Sequence, residues 1–260
     1  MATFFIKFRF INNNIDMLFL QRRKFENLVF IFGAPRSGTT WLWSLLESNK
    51  GTIPFLDGIE KNNDGTYDTS ESGVYIKDYK NASKKIKLFV SKNKNKIVIE
   101  KTPSHTLIYD KILNDFPKSK NIIIFRNPIS IVNSMIKSEM TAFQNYDIDY
   151  SIKSVKEYYL KLEELSTKED SIVITYENLL KNTKSFLTSI FERLNLEISK
   201  VDQIINDNKY KTRINVKGAY RKGTIDSFKE DLSVSEMKFI EKSLRAEIKL
   251  FKRINDLINV

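Results

Sequence analysis

The chain has 260 residues, enough for one large domain or two small ones, and its 41% of hydrophobic residues is ordinary for a folded protein. It has no cysteine and a single histidine, which excludes a disulfide framework, a thiolate metal site or nucleophile, and a histidine-rich metal site. The net charge of +11 raises the hypothesis of nucleic-acid binding, although the general abundance of Lys, Asn and Ile in this chain is a strong alternative explanation of the charge. Because the basic residues are spread along the chain, this charge favours a polyanionic nucleotide or an acidic acceptor over nucleic acid.

The N-terminal region carries no continuous apolar segment. Its apolar runs are interrupted by Lys7, Arg9 and the asparagines at 12–14. They match neither the apolar core of a signal peptide nor the roughly 20 apolar residues of a membrane span. We expect residues 1–26 to form a peripheral extension, with a surface anchor as the less favoured alternative. We also expect a cytoplasmic protein without a membrane span.

The rest of the chain divides into alternating strands and helices. Strands are predicted at 28–33, 96–100, 121–125 and 172–175, and helices at 38–49, 83–94, 104–115, 128–138 and 149–166. Residues 50–82 are predicted to be a loop-rich region that shapes a cleft, and the C-terminal part to be helical apart from a basic loop at 209–231. Short apolar strands separated by helices require crossover connections. We therefore predict one three-layer α/β/α domain over 1–260, with a central parallel sheet.

The first strand runs into a loop, 33–40, that has the frame of a phosphate-binding loop. The loop reads G-A-P-R-S-G-T-T, with Thr39 where a nucleoside triphosphatase has lysine and with Arg36 as its only cation. Backbone N–H groups at the start of the following helix carry partial positive charge and bind anions. The position of Arg36 indicates a nucleotide whose terminal group is not a triphosphate.

A second anion site is predicted where the strand 121–125 ends in Arg126, because ligands of open parallel sheets bind beyond the carboxyl ends of the strands. Asn127 and Pro128 are typical of a capped helix start, and Ser134 follows two turns into that helix. An arginine fork and a hydroxyl suit a phosphate monoester. Taken alone, the pattern is equally typical of a capped helix with a surface arginine.

A third basic segment lies far downstream, at Arg221-Lys222-Gly223. Two adjacent cations beside a glycine can clamp an anion, since glycine allows close approach of the backbone. The same residues on their own would also be typical of a solvated basic loop.

Together these segments resemble the sulfotransferases that bind 3′-phosphoadenosine-5′-phosphosulfate (PAPS). The sequence PRSGTTW at 35–41 resembles their 5′-phosphosulfate loop, and Arg126 with Ser134 resembles their 3′-phosphate motif. The segment from Arg221 resembles their R-K-G loop, with Phe228 where that family has tryptophan. Tyr176 resembles a family tyrosine that lies near the adenine, the alternative being a core tyrosine.

The resemblance spans residues 33–229 and implies a P-loop-like fold, PAPS as the cofactor and a hydroxyl-bearing acceptor, with a carbohydrate favoured. A metal ion is not demanded, because a sulfonate carries less charge than a phosphoryl group. The cofactor-binding residues implied by the resemblance are Pro35, Arg36, Ser37, Gly38, Thr39, Thr40, Trp41, Arg126, Ser134, Tyr176, Arg221, Lys222 and Gly223.

Sulfuryl transfer needs a cation at the bridging oxygen and a base for the acceptor hydroxyl. We expect Arg36 to supply the cation, because it sits in the loop implied to hold the sulfuryl end. The base could be Glu60, in the loop after the first helix, or His105, the single histidine, or another residue. Lys101 either orients the sulfonate or is a surface lysine.

Two alternatives belong to other functional classes. A P-loop kinase would use Glu100, at the end of an apolar strand, as its magnesium-binding acid, but Thr39 in place of lysine argues against it. A basic nucleic-acid-binding protein would bind with a steep dependence on salt and without a nucleotide.

Overall fold

The computed structural model describes residues 25–63, 65, 67–208 and 225–258. Nearly all of the predicted N-terminal extension, and the segment from Arg221 to Gly223, lie outside the described residues. No helix in the described part of the chain is long and apolar enough to cross a membrane.

A single parallel sheet forms the centre of the fold. Its strands are β1 (Leu28–Gly33), β2 (Thr52–Pro54), β3 (Ile97–Lys101), β4 (Lys120–Phe125) and β5 (Ser171–Thr175), in the spatial order β2-β3-β1-β4-β5. In register, Ile31 of β1 lies between Lys101 of β3 and Ile122 of β4. Because β1 is the central strand, the loop that follows it emerges at the middle of the carboxyl edge.

Helices connect the strands and cover the sheet. They are α1 (Thr39–Glu47), α2 (Val74–Lys77), α3 (Ala82–Lys92), α4 (Tyr109–Asp115), α5 (Pro128–Ile136), α6 (Ile148–Ser166), α7 (Tyr176–Lys181), α8 (Thr183–Arg193), α9 (Val201–Asp207), α10 (Phe228–Asp231), α11 (Val234–Ser243) and α12 (Arg245–Ile258). Short 3-10 helices cover Pro103–Ile108 and Thr141–Phe143.

Alternate residues of β1 point to two separate hydrophobic cores. Leu28, Phe30 and Phe32 contribute to the core shared with α3, α5, α6 and α12, whereas Val29 and Ile31 pack with α1 and α8. All five side chains are at most 1% exposed. Full burial of such side chains is worth about 1.5–3 kcal/mol each, so β1 is a rigid support for the loop at its end. The predicted three-layer α/β/α architecture is confirmed.

The region 50–82 is loop-rich as predicted, and it contains the short strand β2 and the helix α2. Two local predictions were wrong. The predicted helix 104–115 begins as the 3-10 turn Pro103–Ile108. The predicted loop 209–231 ends in the helix Phe228–Asp231. Strands and helices of three or four residues carry too little periodicity to stand out, and Pro103 prevents a regular first turn.

Candidate functional site

The loop from Gly33 to Thr40 turns sharply between β1 and α1. Arg36 and Gly38 both have left-handed backbone conformations, with φ of 68° and 95°. A Cβ atom at Gly38 would lie 2.4 Å from the ring of Tyr176, so glycine is required there for two reasons. Thr106 fixes the start of the loop, because its hydroxyl accepts from the Gly33 N–H at 3.0 Å and donates to the Gly33 carbonyl at 3.2 Å.

The end of this loop has the properties of an anion cradle. Helix α1 begins at Thr39, and no described side chain caps its N-terminus. The hydroxyl of Ser37 is fully buried and has no hydrogen-bond partner among the described residues. A helix N-terminus carries partial positive charge, and a buried hydroxyl without a partner is costly. An oxyanion at this position would satisfy both groups, so the loop fits the phosphate end of a nucleotide.

Arg36 joins the first and second predicted anion sites. Its Nε donates a 3.0 Å hydrogen bond to the hydroxyl of Ser134 on α5, which is 4% exposed. Its Nη1 approaches the sulfur of Met140 at 3.2 Å, and its guanidinium lies 5.7 Å from the centre of the Phe143 ring. Two segments that are 98 residues apart in sequence therefore meet at one side chain.

Arg126 extends from the carboxyl end of β4 to the back of the same loop. Its Nη1 donates to the main-chain carbonyl of Arg36 at 2.6 Å. Its guanidinium stacks 4.4 Å from the ring centre of Tyr176, whose edge also packs against Trp41 at 5.9 Å. Tyr176 is 7% exposed. It belongs to the second core, and it also lies between the loop and Arg126.

The start of α5 has the predicted cap. The side chain of Asn127 accepts from the N–H of Ile129 at 3.0 Å, and Pro128 occupies the first helical position. The hydroxyl of Ser130 on this helix donates to the carbonyl of Ile225 at 3.1 Å. The chain that follows the basic segment 221–223 is therefore attached to the helix that carries Ser134.

Lys101 is buried, so the alternative that it is a surface lysine is wrong. Its ammonium donates to Thr40 at 3.2 Å, to Ser70 at 2.6 Å and to Glu71 at 3.0 Å. Burial lowers the pKa of Lys101, and the charge and hydrogen bond of Glu71 oppose that shift. The ammonium thus contacts the first turn of α1.

His105 and Glu100 form a second buried group. The Glu100 carboxylate accepts from Ser72 and Thr102, both at 2.7 Å, and lies 3.0 Å from Nδ1 of His105. Burial alone would raise the pKa of Glu100, but His105 and the two hydroxyls hold it below its ordinary value. Nε2 of His105 is buried and has no partner within the described part of the chain.

These contacts bear on two of the predicted roles. Both oxygens of Glu100 are held by protein donors, which leaves the kinase alternative without its magnesium-binding acid. In the described ranges no group of three or more histidine, cysteine or acidic side chains could hold a metal ion. Glu60 is exposed on the loop after β2, and none of the described residues forms a hydrogen bond or ion pair with it.

Sequence reasoning missed Glu71. This residue lies in the loop between β2 and α2, which was predicted only in general terms to shape a cleft. No motif marks Glu71, and the contact that singles it out is with Lys101, 30 residues away. The one signal present in the sequence was the polar composition of residues 50–82.

A model of the sulfotransferase family matches residues 60–200, just over half of the chain. No curated protein sequence matches the chain.

Several solved structures share the fold. The mouse sulfotransferase SULT7A1, complexed with PAP, aligns with a TM-score of 0.59 and 16% identity, over 86% of this chain and 85% of that one. The sulfotransferase domain of the Synechococcus olefin synthase aligns with a TM-score of 0.55 and 15% identity, over 83% of this chain and 93% of that one. The sulfotransferase STF9 of Mycobacterium avium aligns with a TM-score of 0.56 and 11% identity, over 93% of this chain and 80% of that one. At these identities the likeness is one of fold.

Proposed function

The chain belongs to the sulfotransferase family, and we propose that it transfers the sulfuryl group of PAPS to a hydroxyl of its acceptor, releasing PAP. The observation that carries this proposal is the pair of contacts made by Arg36. Its side chain binds Ser134, and its carbonyl binds Arg126. These two contacts join the phosphate-binding loop to the predicted 3′-phosphate site. A nucleotide with phosphates on both the 3′ and the 5′ position of its ribose needs two such sites side by side.

The 5′-phosphate end would be held by Ser37, Thr39, Thr40 and the N-terminus of α1. The buried, unpartnered hydroxyl of Ser37 supports this assignment. Trp41 and Tyr176 would border the adenine, a role supported by the position of the Tyr176 ring against Gly38.

The 3′-phosphate would be held by Arg126, Ser134 and the basic residues Arg221 and Lys222, with Gly223 allowing close approach. The hydrogen bond from Ser130 to Ile225 supports this grouping, because it attaches the chain after the basic segment to α5. Charge-assisted hydrogen bonds from arginine to phosphate are among the stronger polar contacts in proteins.

The bound nucleotide would supply the sulfuryl group, and the protein would supply charge. We assign Arg36 to the bridging oxygen, where negative charge develops as the sulfuryl group leaves. We assign Lys101 to the sulfonate, because its buried ammonium already contacts Thr40 at the start of α1. Preorganised cations in a water-poor site act strongly because they need no reorganisation during the reaction.

A hydroxyl acceptor with a flat apolar face suits the surroundings of Arg36. Phe143 lies on its guanidinium, Tyr146 packs on Phe143 at 5.0 Å between ring centres, and Tyr150 packs on Tyr146 at 4.4 Å. Aromatic faces of this kind contact the apolar faces of sugars as well as those of phenols. A carbohydrate is therefore the first acceptor class to test.

We further propose that the whole chain is one sulfotransferase domain, since its described elements pack on one sheet.

Incubation with PAPS that carries a radioactive sulfuryl group tests the function. A panel of sugars, phenols and alcohols should yield at least one labelled sulfate ester, formed without added metal. Phosphoryl transfer from ATP and magnesium, with no transfer from PAPS, would support the kinase alternative instead.

A further inference from the structure

Glu71 is placed at the boundary between the buried site and solvent. It lies in the loop between β2 and α2, and its side chain is 44% exposed. Its Oε1 accepts a 3.0 Å hydrogen bond from the ammonium of Lys101, which is itself fully buried. One carboxylate oxygen of Glu71 is therefore fixed by an ion pair, while the half-exposed side chain remains accessible to a molecule that enters from outside.

Lys101 connects Glu71 to the phosphate-binding loop. The same ammonium donates to the hydroxyl of Thr40 at 3.2 Å, in the first turn of α1. Ser70, the residue before Glu71, accepts a third hydrogen bond from it at 2.6 Å. The loop that carries Glu71 is thus attached at two adjacent residues to the cation assigned to the sulfonate.

Glu71 is close enough to the aromatic residues near Arg36 to influence the ionisation of one of them. Burial raises the pKa of Tyr158 on α6, and the nearby Tyr146 and Glu71 raise it further. Tyr146 packs on Phe143, which lies on the guanidinium of Arg36. The charge of Glu71 therefore acts on the aromatic residues that adjoin Arg36, while its exposed side chain is held beside Lys101, the cation that contacts the start of α1.

We propose that Glu71 is the base that takes the proton of the acceptor hydroxyl, an inference that rests on the proposed function. As the acceptor oxygen forms its bond to sulfur, the bond from sulfur to the bridging oxygen of the 5′-phosphate breaks. The hydroxyl proton moves to the Glu71 carboxylate, and PAP leaves with the negative charge. Lys101 holds Glu71 in place and keeps a cation beside the transferred group.

The other acidic and basic candidates are less suitably placed. The oxygens of Glu100 are occupied by Ser72, Thr102 and His105, and the pair Glu100 and His105 is at most 1% exposed. Glu60 is exposed but has no cation to fix it among the described residues. A base needs both access to the acceptor and a fixed position.

Glu71→Gln is the test variant, because glutamine keeps an oxygen for Lys101 and cannot take a proton. Glu164→Gln is the matched control: Glu164 has a side chain 43% exposed, forms an ion pair with Lys161 at 3.2 Å and accepts a 3.1 Å hydrogen bond from Tyr109. Glu71→Asp restores a carboxylate and should recover part of the lost activity.

Comparing the reaction rates with two acceptors distinguishes a base from a residue that only supports the structure. Water, followed as release of PAP from PAPS, must lose a proton, whereas p-nitrophenol is already ionised in mildly alkaline buffer. Glu71→Gln should slow the reaction with water about 100-fold, within the range for a general base. It should change transfer to p-nitrophenol much less, and Glu164→Gln should change neither. Equal losses with both acceptors would overturn the proposal, as would an acceptor-dependent loss in Glu60→Gln or His105→Asn instead.

Calorimetric titration with PAP provides a readout that does not depend on turnover. PAP affinity and melting temperature of Glu71→Gln should stay close to those of the wild type, because a base acts on the acceptor. A tenfold loss of PAP affinity would overturn the proposal and place Glu71 in the nucleotide site. Failure of the wild-type protein to bind PAP would instead contradict the proposed function itself.

Discussion

Arg126 donates a 2.6 Å hydrogen bond to the main-chain carbonyl of Arg36 and so holds the phosphate-binding loop against the end of β4. The loop residue is in the left-handed region, with φ of 68°, which costs an arginine about 1–2 kcal/mol. A backbone conformation of this kind persists only where its surroundings stabilise it. Arg126 is one of the groups that do so, and it thereby links the geometry of the two anion sites.

Replacing Arg126 by alanine should weaken PAP binding at least tenfold, because one charge-assisted contact is worth about 1.5–3 kcal/mol. Adenosine 5′-phosphosulfate lacks the 3′-phosphate, so its affinity should fall much less. Calorimetric titration with both nucleotides measures the difference. Arg253→Ala, at a side chain 65% exposed on α12, is the control and should change neither affinity. Equal weakening of both nucleotides would place Arg126 away from the 3′-phosphate.

Arg36→Ala should lower turnover about 100-fold or more, the loss seen when one preorganised charge partner of a transition state is removed. PAPS affinity should fall less, since Ser37, Thr39 and Thr40 still hold the 5′-phosphate.

Arg36→Gly should be equally inactive but about 1 kcal/mol more stable than Arg36→Ala, because glycine accepts a positive φ. Urea unfolding of the two variants measures this difference. If their stabilities are equal, Arg36 does not carry backbone strain.

Gly38→Ala should be far more damaging than Gly58→Ala, although both glycines have nearly the same φ, 95° and 93°. A Cβ at Gly38 would lie 2.4 Å from the Tyr176 ring, whereas at Gly58 nothing lies within 4 Å. Gly58→Ala should cost only the backbone strain of about 1–2 kcal/mol. Gly38→Ala should add the displacement of Tyr176 and reduce PAP affinity. Thermal unfolding of both variants is the measurement, and similar losses would show that contact with Tyr176 does not constrain the loop.

The Glu100 carboxylate should make stability depend on acid pH. Its pKa is below the ordinary value in the folded protein, so its contribution is present above the unfolded pKa of about 4.3 and is lost as the pH falls through the folded value. Between pH 6 and pH 3 the wild type should therefore lose more unfolding free energy than Glu100→Gln. Urea unfolding across this range tests it. If the unfolding free energies of the two proteins fall in parallel with pH, the pKa of Glu100 is not lowered in the folded protein.

Much of the fold was predictable because it is encoded locally. The apolar run Leu28–Gly33, the glycines of the loop and the Asn127-Pro128 cap each specify their structure within a few residues. The contacts that assemble the site are different in kind. Lys101 meets Glu71 across 30 residues and Arg36 meets Ser134 across 98, and such pairs depend on strand order. Burial of Lys101 was likewise not readable, because a lysine that ends a strand is more often exposed.

Binding of PAP in metal-free buffer tests the central claim most directly. The loop after β1 and the Arg126–Ser134 region together match both phosphate groups of that nucleotide. PAP at a hundredfold excess over its dissociation constant should therefore raise the unfolding free energy by about 2.7 kcal/mol. ATP with magnesium should have a much smaller effect. Stabilisation by ATP and magnesium, with none by PAP, would contradict the account.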